Sequence, residues 1–168
     1  MKSIKSSGRN IAITLGGIAC AMFSIGCDKV DNRRMPPVPV HIDLGNQGLW
    51  NTYGVHGSGE VRVFIRDTNT PDNFPFTAST YTGFGGVLLI YGIDRPLAYD
   101  LACPVELNKD VRLKVNDNLE AECPECGSRY DVFSGGGSPI AGEALKQKYG
   151  LQTYQVVPQS LGGYIISR

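Results

Sequence analysis

Histidine is scarce in this sequence, with only His41 and His56 among 168 residues. Serine and aspartate are plentiful, but two unpaired histidines give little support for a hydrolytic triad, and we expect no catalysis by this chain alone. An excess of one charge is also missing, because 16 Lys and Arg residues balance 16 Asp and Glu residues. Nucleic-acid binding, which usually requires a basic surface, therefore has no support.

A long hydrophobic run is missing as well. The apolar stretch over residues 11–25 is too short and too interrupted to span a bilayer. It follows a basic start and is typical of a secretory signal, which we predict over residues 1–26. Cys27 follows Ser24-Ile25-Gly26, which resembles the lipobox of bacterial lipoproteins, so we expect Cys27 to carry lipid. Cys20 is a second candidate, and an ordinary cleaved signal remains the alternative.

The predicted anchor implies a cell-envelope protein, at the outer membrane or the cell surface. Residues 27–37 are polar and then proline-rich, which favours an extended tether. Residues 38–168 are enough for one domain with its own core.

This domain is predicted to be all-β. Short alternating or apolar runs are separated by turn residues and give eight or nine strands, with one weak helix over residues 143–149. Such a pattern indicates an antiparallel sandwich or small barrel. The aromatic segments Trp50–Tyr53 and Phe74–Tyr81 are either a partner surface or hydrophobic lids on the domain.

Three of the five cysteines lie in two short loops. The first reads Cys103-Pro104-Val105, and after seventeen residues the second reads Cys123-Pro124-Glu125-Cys126-Gly127-Ser128. Each loop follows a strand-like run, so the loop tips are expected to meet as metal-binding knuckles do. The cluster-loop region covers residues 97–134.

This spacing resembles the cluster-binding loops of the Rieske family, and the tether and aromatic loops resemble Rieske-fold lipoproteins of the Bacteroidales type. The resemblance extends to Arg129-Tyr130-Asp131 and to the glycine-rich Ser134–Pro139 segment, and it implies a Rieske-like fold. A Rieske centre uses two cysteines and two histidines. The resemblance places the cysteine ligands on Cys103 and Cys123 and the histidine ligands on Val105 and Cys126. Valine has no lone pair, so the ligand set is degenerate.

Three interpretations of the loops remain open. The leading one is a non-catalytic binding or accessory module without a cofactor, whose protein or small-molecule partner is unknown. In it Cys103 forms a disulfide with Cys123 or Cys126, or the thiols stay buried. The alternatives are an electron-transfer protein with an atypical [2Fe-2S] cluster, and a zinc-stabilised structural domain. In both, Glu106 or an external ligand would complete Cys103, Cys123 and Cys126.

Overall fold

A computed structural model describes residues 29–168 of the chain. Within that range, strands alternate with loops, and two short helices interrupt them. The strands are β1 (Val40–Asn46), β2 (Val61–Phe64), β3 (Tyr81–Thr82), β4 (Val87–Tyr91), β5 (Pro96–Asp100), β6 (Lys114–Val115), β7 (Glu120–Glu122), β8 (Arg129–Asp131), β9 (Ser138–Ala141), β10 (Thr153–Pro158) and β11 (Gly162–Ser167). The helices are α1 (Gln47–Tyr53) and α2 (Gly142–Gln147).

The strands form two antiparallel sheets. The larger has the order β2-β4-β5-β10-β11-β1-β3, and the smaller has the order β6-β7-β8-β9. The larger sheet curls into a nearly closed barrel, which confirms the predicted all-β, small-barrel class with little helix. The smaller sheet carries both cysteine loops at its end, because the first loop precedes β6 and the second joins β7 to β8.

A first hydrophobic core lies inside the larger sheet. Along β1 the side chains alternate, so that Val40, Ile42 and Leu44 are buried. Trp50 from α1 and Phe74 pack onto the same core and are 6% and 5% exposed. Trp50 and Phe74 therefore act as lids on the domain, whereas Tyr81 is 47% exposed and a partner surface at these segments stays a prediction.

Two elements differ from the sequence-based expectation. Helix α1 lies in a segment for which the sequence predicts no helix, and the Asn46 side chain caps it by accepting a hydrogen bond from Leu49 N at 2.9 Å. Strand β9 occupies part of the predicted glycine-rich loop and pairs with β8. Because β9 is an edge strand, Pro139 fits there without removing a hydrogen bond from the sheet interior.

A buried carboxylate fixes the end of β5, just before the first cysteine loop. Asp100 is 0% exposed and accepts hydrogen bonds from the backbone N–H groups of Phe84, Gly85 and Ala102 at 2.8–3.1 Å. It also accepts one from the Tyr154 hydroxyl at 2.6 Å. A Cβ on Gly85 would lie 2.5 Å from Ala102 N, so only glycine allows this approach.

The N-terminal segment packs on the domain. Asp31 forms a parallel bridge with Tyr149, and Met35 is only 3% exposed. The Arg34 guanidinium lies 3.6 Å from the Tyr149 ring centroid, and its Nη1 donates a hydrogen bond to Pro104 O at 2.8 Å. Part of the segment predicted as a tether over residues 27–37 therefore contacts the domain from Asp31 onward.

The predicted signal peptide (residues 1–26) and Cys27 lie outside the described residues. Within residues 29–168, no helix is both long enough and apolar enough to cross a membrane.

Candidate metal centre

The two cysteine loops meet, as the sequence predicts. The Sγ atoms of Cys103, Cys123 and Cys126 all lie within 4.8 Å of one another. Cys103 Sγ and Cys126 Sγ, from different loops, are 3.7 Å apart. Cys103 and Cys123 are buried on top of a second hydrophobic core between the sheets, and Cys126 is half-buried.

Both loops have the same backbone turn. We call residues 103–107 the first loop and residues 123–127 the second loop. In the first loop, Leu107 N donates to Cys103 O at 3.0 Å, and in the second, Gly127 N donates to Cys123 O at 3.0 Å. Leu107 and Gly127 both have left-handed backbones, with φ of 50° and 65°. Each loop therefore wraps its backbone around the sulfur of its leading cysteine.

Backbone N–H groups face these sulfurs. Burial raises the pKa of Cys103, while the N–H groups of Glu106 and Val105 oppose that rise. Burial also raises the pKa of Cys123 to about 12, while the N–H groups of Cys126 and Glu125 oppose it. At neutral pH the buried thiols are protonated, and the donors around them are arranged to stabilise thiolates when protons are displaced.

Two hydroxyl groups complete the surroundings of the sulfurs. The Tyr130 hydroxyl lies 3.6 Å from Cys103 Sγ, and burial raises the pKa of Tyr130 well above its usual value, so it remains an O–H donor. Ser128 Oγ lies 3.2 Å from Cys126 Sγ and accepts a hydrogen bond from Ala144 N at 3.1 Å. The Cys126 thiol donates to Ser128 Oγ, and once Cys126 is deprotonated the Ser128 hydroxyl can donate to the thiolate instead.

The sequence alone indicates no role for Ser128 or Tyr130. A weak signal was present, because Ser128 and Tyr130 flank Arg129 at the start of strand β8, and the alternation of a strand places such residues on one side, where both are buried. Arg34 was also missed, since nothing in a proline-rich segment indicates that it contacts Pro104.

The remaining predicted site residues lie beside the sulfurs. Val105 is half-buried and packs against the second core, where it offers no donor. The Glu106 side chain is exposed, and its carboxylate lies outside the sulfur group. His41 pairs within the barrel sheet and His56 contacts Trp50, so neither joins the three sulfurs.

The three cysteines are free thiols in the structure. A disulfide requires sulfurs about 2.05 Å apart, so the 3.7 Å between Cys103 and Cys126 is a contact and not a bond. A disulfide from Cys103 to Cys123 or Cys126 stays a prediction for oxidised protein.

No family model, curated protein or solved structure matches this chain. The resemblance to the Rieske family rests on the motifs quoted above and stays an interpretation.

Proposed function

We propose that this chain is a cell-envelope domain that binds one thiophilic metal ion, with Zn²⁺ as the best fit, through Cys103, Cys123 and Cys126. The domain itself is non-catalytic and serves as a binding or accessory module. This adopts the zinc alternative for the loops and keeps the accessory role expected from the sequence.

The observation that carries the proposal is the spacing of the sulfurs. Four ligands about 2.3 Å from Zn²⁺ in a tetrahedron lie about 3.8 Å from one another. The 3.7 Å between Cys103 Sγ and Cys126 Sγ agrees with this edge length. Since no pair in the group exceeds 4.8 Å, the loops need to close by no more than about 1 Å to place all three sulfurs on one ion.

A Rieske-type cluster fits these residues poorly. Such a cluster has two irons, and ligands on different irons are farther apart than ligands on the same ion. The Rieske alignment would place Cys103 and Cys126 on different irons, yet their sulfurs are 3.7 Å apart. Val105, at the fourth position of that alignment, has no donor atom. Both facts favour a single ion.

The bound ion would act as a crosslink. Cys103 lies in the first loop and Cys123 in the second, and strands β6 and β7 separate them along the chain. Both cysteines lie above the second core, where one ion can hold the two loops together. An ion held by both loops stabilises the folded state, because the unfolded chain does not present the same ligands together. The signal and lipobox pattern ending at Cys27 supports a lipid-anchored location.

The test uses the full chain with Cys20→Ser and Cys27→Ser, so that the three described cysteines are the only thiols. The protein is purified under anaerobic, reducing conditions, and zinc, iron and acid-labile sulfide are quantified. We expect one metal ion per chain without sulfide, and a Co²⁺-loaded form with thiolate-to-cobalt charge-transfer absorption. In this background, Cys103→Ser, Cys123→Ser or Cys126→Ser should each reduce that absorption.

Two outcomes contradict the proposal. Protein that retains neither Zn²⁺ nor Co²⁺ after incubation with either ion would support the cofactor-free interpretation. Two irons with stoichiometric sulfide would instead support the [2Fe-2S] alternative.

A further inference from the structure

We propose that Glu106 is the fourth ligand of this centre and that it raises the affinity for a tetrahedral divalent ion such as Zn²⁺ or Fe²⁺ more than the affinity for Cu⁺. This inference rests on the proposed function, because it adds a ligand and a metal class to the same site.

The first argument is the equivalence of the two loops. Their turns share the hydrogen bond from the fifth residue to the first, at 3.0 Å in both, and the left-handed fifth residue. Superposing the turns in this register places Glu106 on Cys126, since each is three residues after the leading cysteine. The second loop uses this position for a sulfur of the trio. The first loop therefore presents a carboxylate from the corresponding point of its own turn.

The N–H groups extend this equivalence to the residue itself. The backbone N–H of Glu106 faces Cys103 Sγ, as that of Cys126 faces Cys123 Sγ. The two peptide groups thus have the same relation to the sulfur of their own loop. The side chains of Glu106 and Cys126 consequently leave the backbone at equivalent positions of their own loops.

The conformation of Leu107 is the second argument. A left-handed backbone is easily adopted by glycine, which occupies the corresponding position 127, but is strained for leucine by about 1 kcal/mol or more. The first loop keeps the metal-knuckle turn despite this strain. Leu119 has the same left-handed backbone in the turn between β6 and β7, so the strain at Leu107 supports the proposal through its match to Gly127 and not by itself.

Glu106 is available to bind. Its side chain is exposed, and no hydrogen bond or ion pair within residues 29–168 holds its carboxylate. Glutamate is longer than cysteine, so a change of rotamer brings the carboxylate oxygen towards the sulfurs without moving the backbone. A cation offsets the desolvation of that carboxylate, and the Arg34 guanidinium bound to Pro104 O adds positive charge beside the first loop.

Three thiolates and one carboxylate define the metal class. Zn²⁺ accepts both sulfur ligands and carboxylate oxygens at about 2.0–2.2 Å and prefers four-coordinate sites. Cu⁺ is satisfied by soft thiolates and gains little from a hard oxygen ligand. Removing the carboxylate should therefore weaken Zn²⁺ binding much more than Cu⁺ binding.

The test compares Glu106→Gln with the matched control Glu125→Gln in the full-length Cys20→Ser, Cys27→Ser protein. Glu125 is an exposed carboxylate of the second loop that the equivalence does not place on a ligand position. Zn²⁺ and Cu⁺ affinities are measured by competition with chelators. We expect Glu106→Gln to weaken Zn²⁺ binding at least about ten-fold while Cu⁺ binding and the Glu125→Gln variant stay near the parent values. Glu106→Cys should raise the Co²⁺ charge-transfer absorption from the level of three thiolates to that of four.

The outcomes separate this inference from the proposed function. If the parent protein binds no metal, the proposed function fails, and the inference fails with it. If the parent binds one ion, but Glu106→Gln matches Glu125→Gln and Glu106→Cys leaves the charge-transfer absorption unchanged, only the inference is overturned. In that case the fourth ligand is external to the chain.

Discussion

The hydrogen bond between Tyr154 and Asp100 is expected to stabilise the end of β5, just before the first loop. Removing it tests that expectation. The two residues are 54 positions apart, and the Tyr154 hydroxyl donates to Asp100 Oδ2 at 2.6 Å in a buried site. Burial, and then the neighbouring carboxylate, raise the pKa of Tyr154 far above its usual value, so the hydroxyl is a donor at neutral pH. Tyr154→Phe removes this donor and leaves the rest of the ring in place.

The expected loss of unfolding free energy is about 1.5–3 kcal/mol, the contribution of a hydrogen bond to a charged group. The loss should not be larger, because Asp100 keeps its three backbone N–H donors. Urea-induced unfolding measures it, and the single tryptophan, Trp50, is a buried fluorescent reporter. Tyr91→Phe is the matched control, because Tyr91 packs at the edge of the first core and its hydroxyl makes no hydrogen bond within residues 29–168.

The reasoning is refuted if Tyr154→Phe loses no more stability than Tyr91→Phe. A second variant, Asp100→Asn, keeps the shape of the side chain but turns an amide N–H₂ group towards groups that are themselves donors. It should destabilise the domain more than Tyr154→Phe does. It should also weaken metal retention, because Ala102 N, next to Cys103, depends on Asp100 Oδ1.

The remaining predictions concern the thiols and the anchor. Because burial raises the pKa of Cys103 and of Cys123, coordination must displace protons, and Zn²⁺ affinity should rise with pH from about 6 to 8; a flat profile in chelator competition would contradict thiolate ligation. The folded pKa of Cys123, about 12, exceeds its unfolded value of about 8.5. Its contribution to the stability of metal-free protein is therefore present below about pH 8.5 and lost as the pH rises towards 12. Cys27 should be the lipid-bearing first residue of the mature chain, and Cys27→Ala should release the protein from membranes without unfolding it; mass spectrometry showing a soluble, unmodified or differently processed wild-type chain would remove the anchor.

Most of the sheet could be predicted from the sequence, because strands such as β2 and β11 carry clear alternation or β-branched runs bounded by turn residues. Strand β9 could not be predicted, because the glycine-rich residues before it and Pro139 within it are typical of a loop. It becomes a strand only by pairing with β8. Helix α1 depends on the Asn46 cap and on burial of Trp50, which are tertiary features that a short polar segment does not reveal.

The convergence of the three cysteines was also predictable, because both loops follow strands of neighbouring hairpins. The relation between Glu106 and Cys126 was not. Cys-x-His spacing assigns the first-loop ligand position to Val105. The backbone turn that both loops share assigns it to Glu106, one residue later. Roles for Tyr130 and Ser128 required distances to the sulfurs.

The docked N-terminal segment has a consequence for orientation. Asp31 is fixed beside Tyr149, and Arg34 touches the first loop through Pro104. From Cys27 to Asp31 the chain spans four Cα–Cα steps, a reach of at most about 14 Å. A lipid on Cys27 would therefore hold this side of the barrel, including the first loop that Arg34 contacts, close to the bilayer. A large soluble protein would have little room to approach the sulfurs there, whereas small ions and neighbours anchored in the same membrane leaflet could reach them.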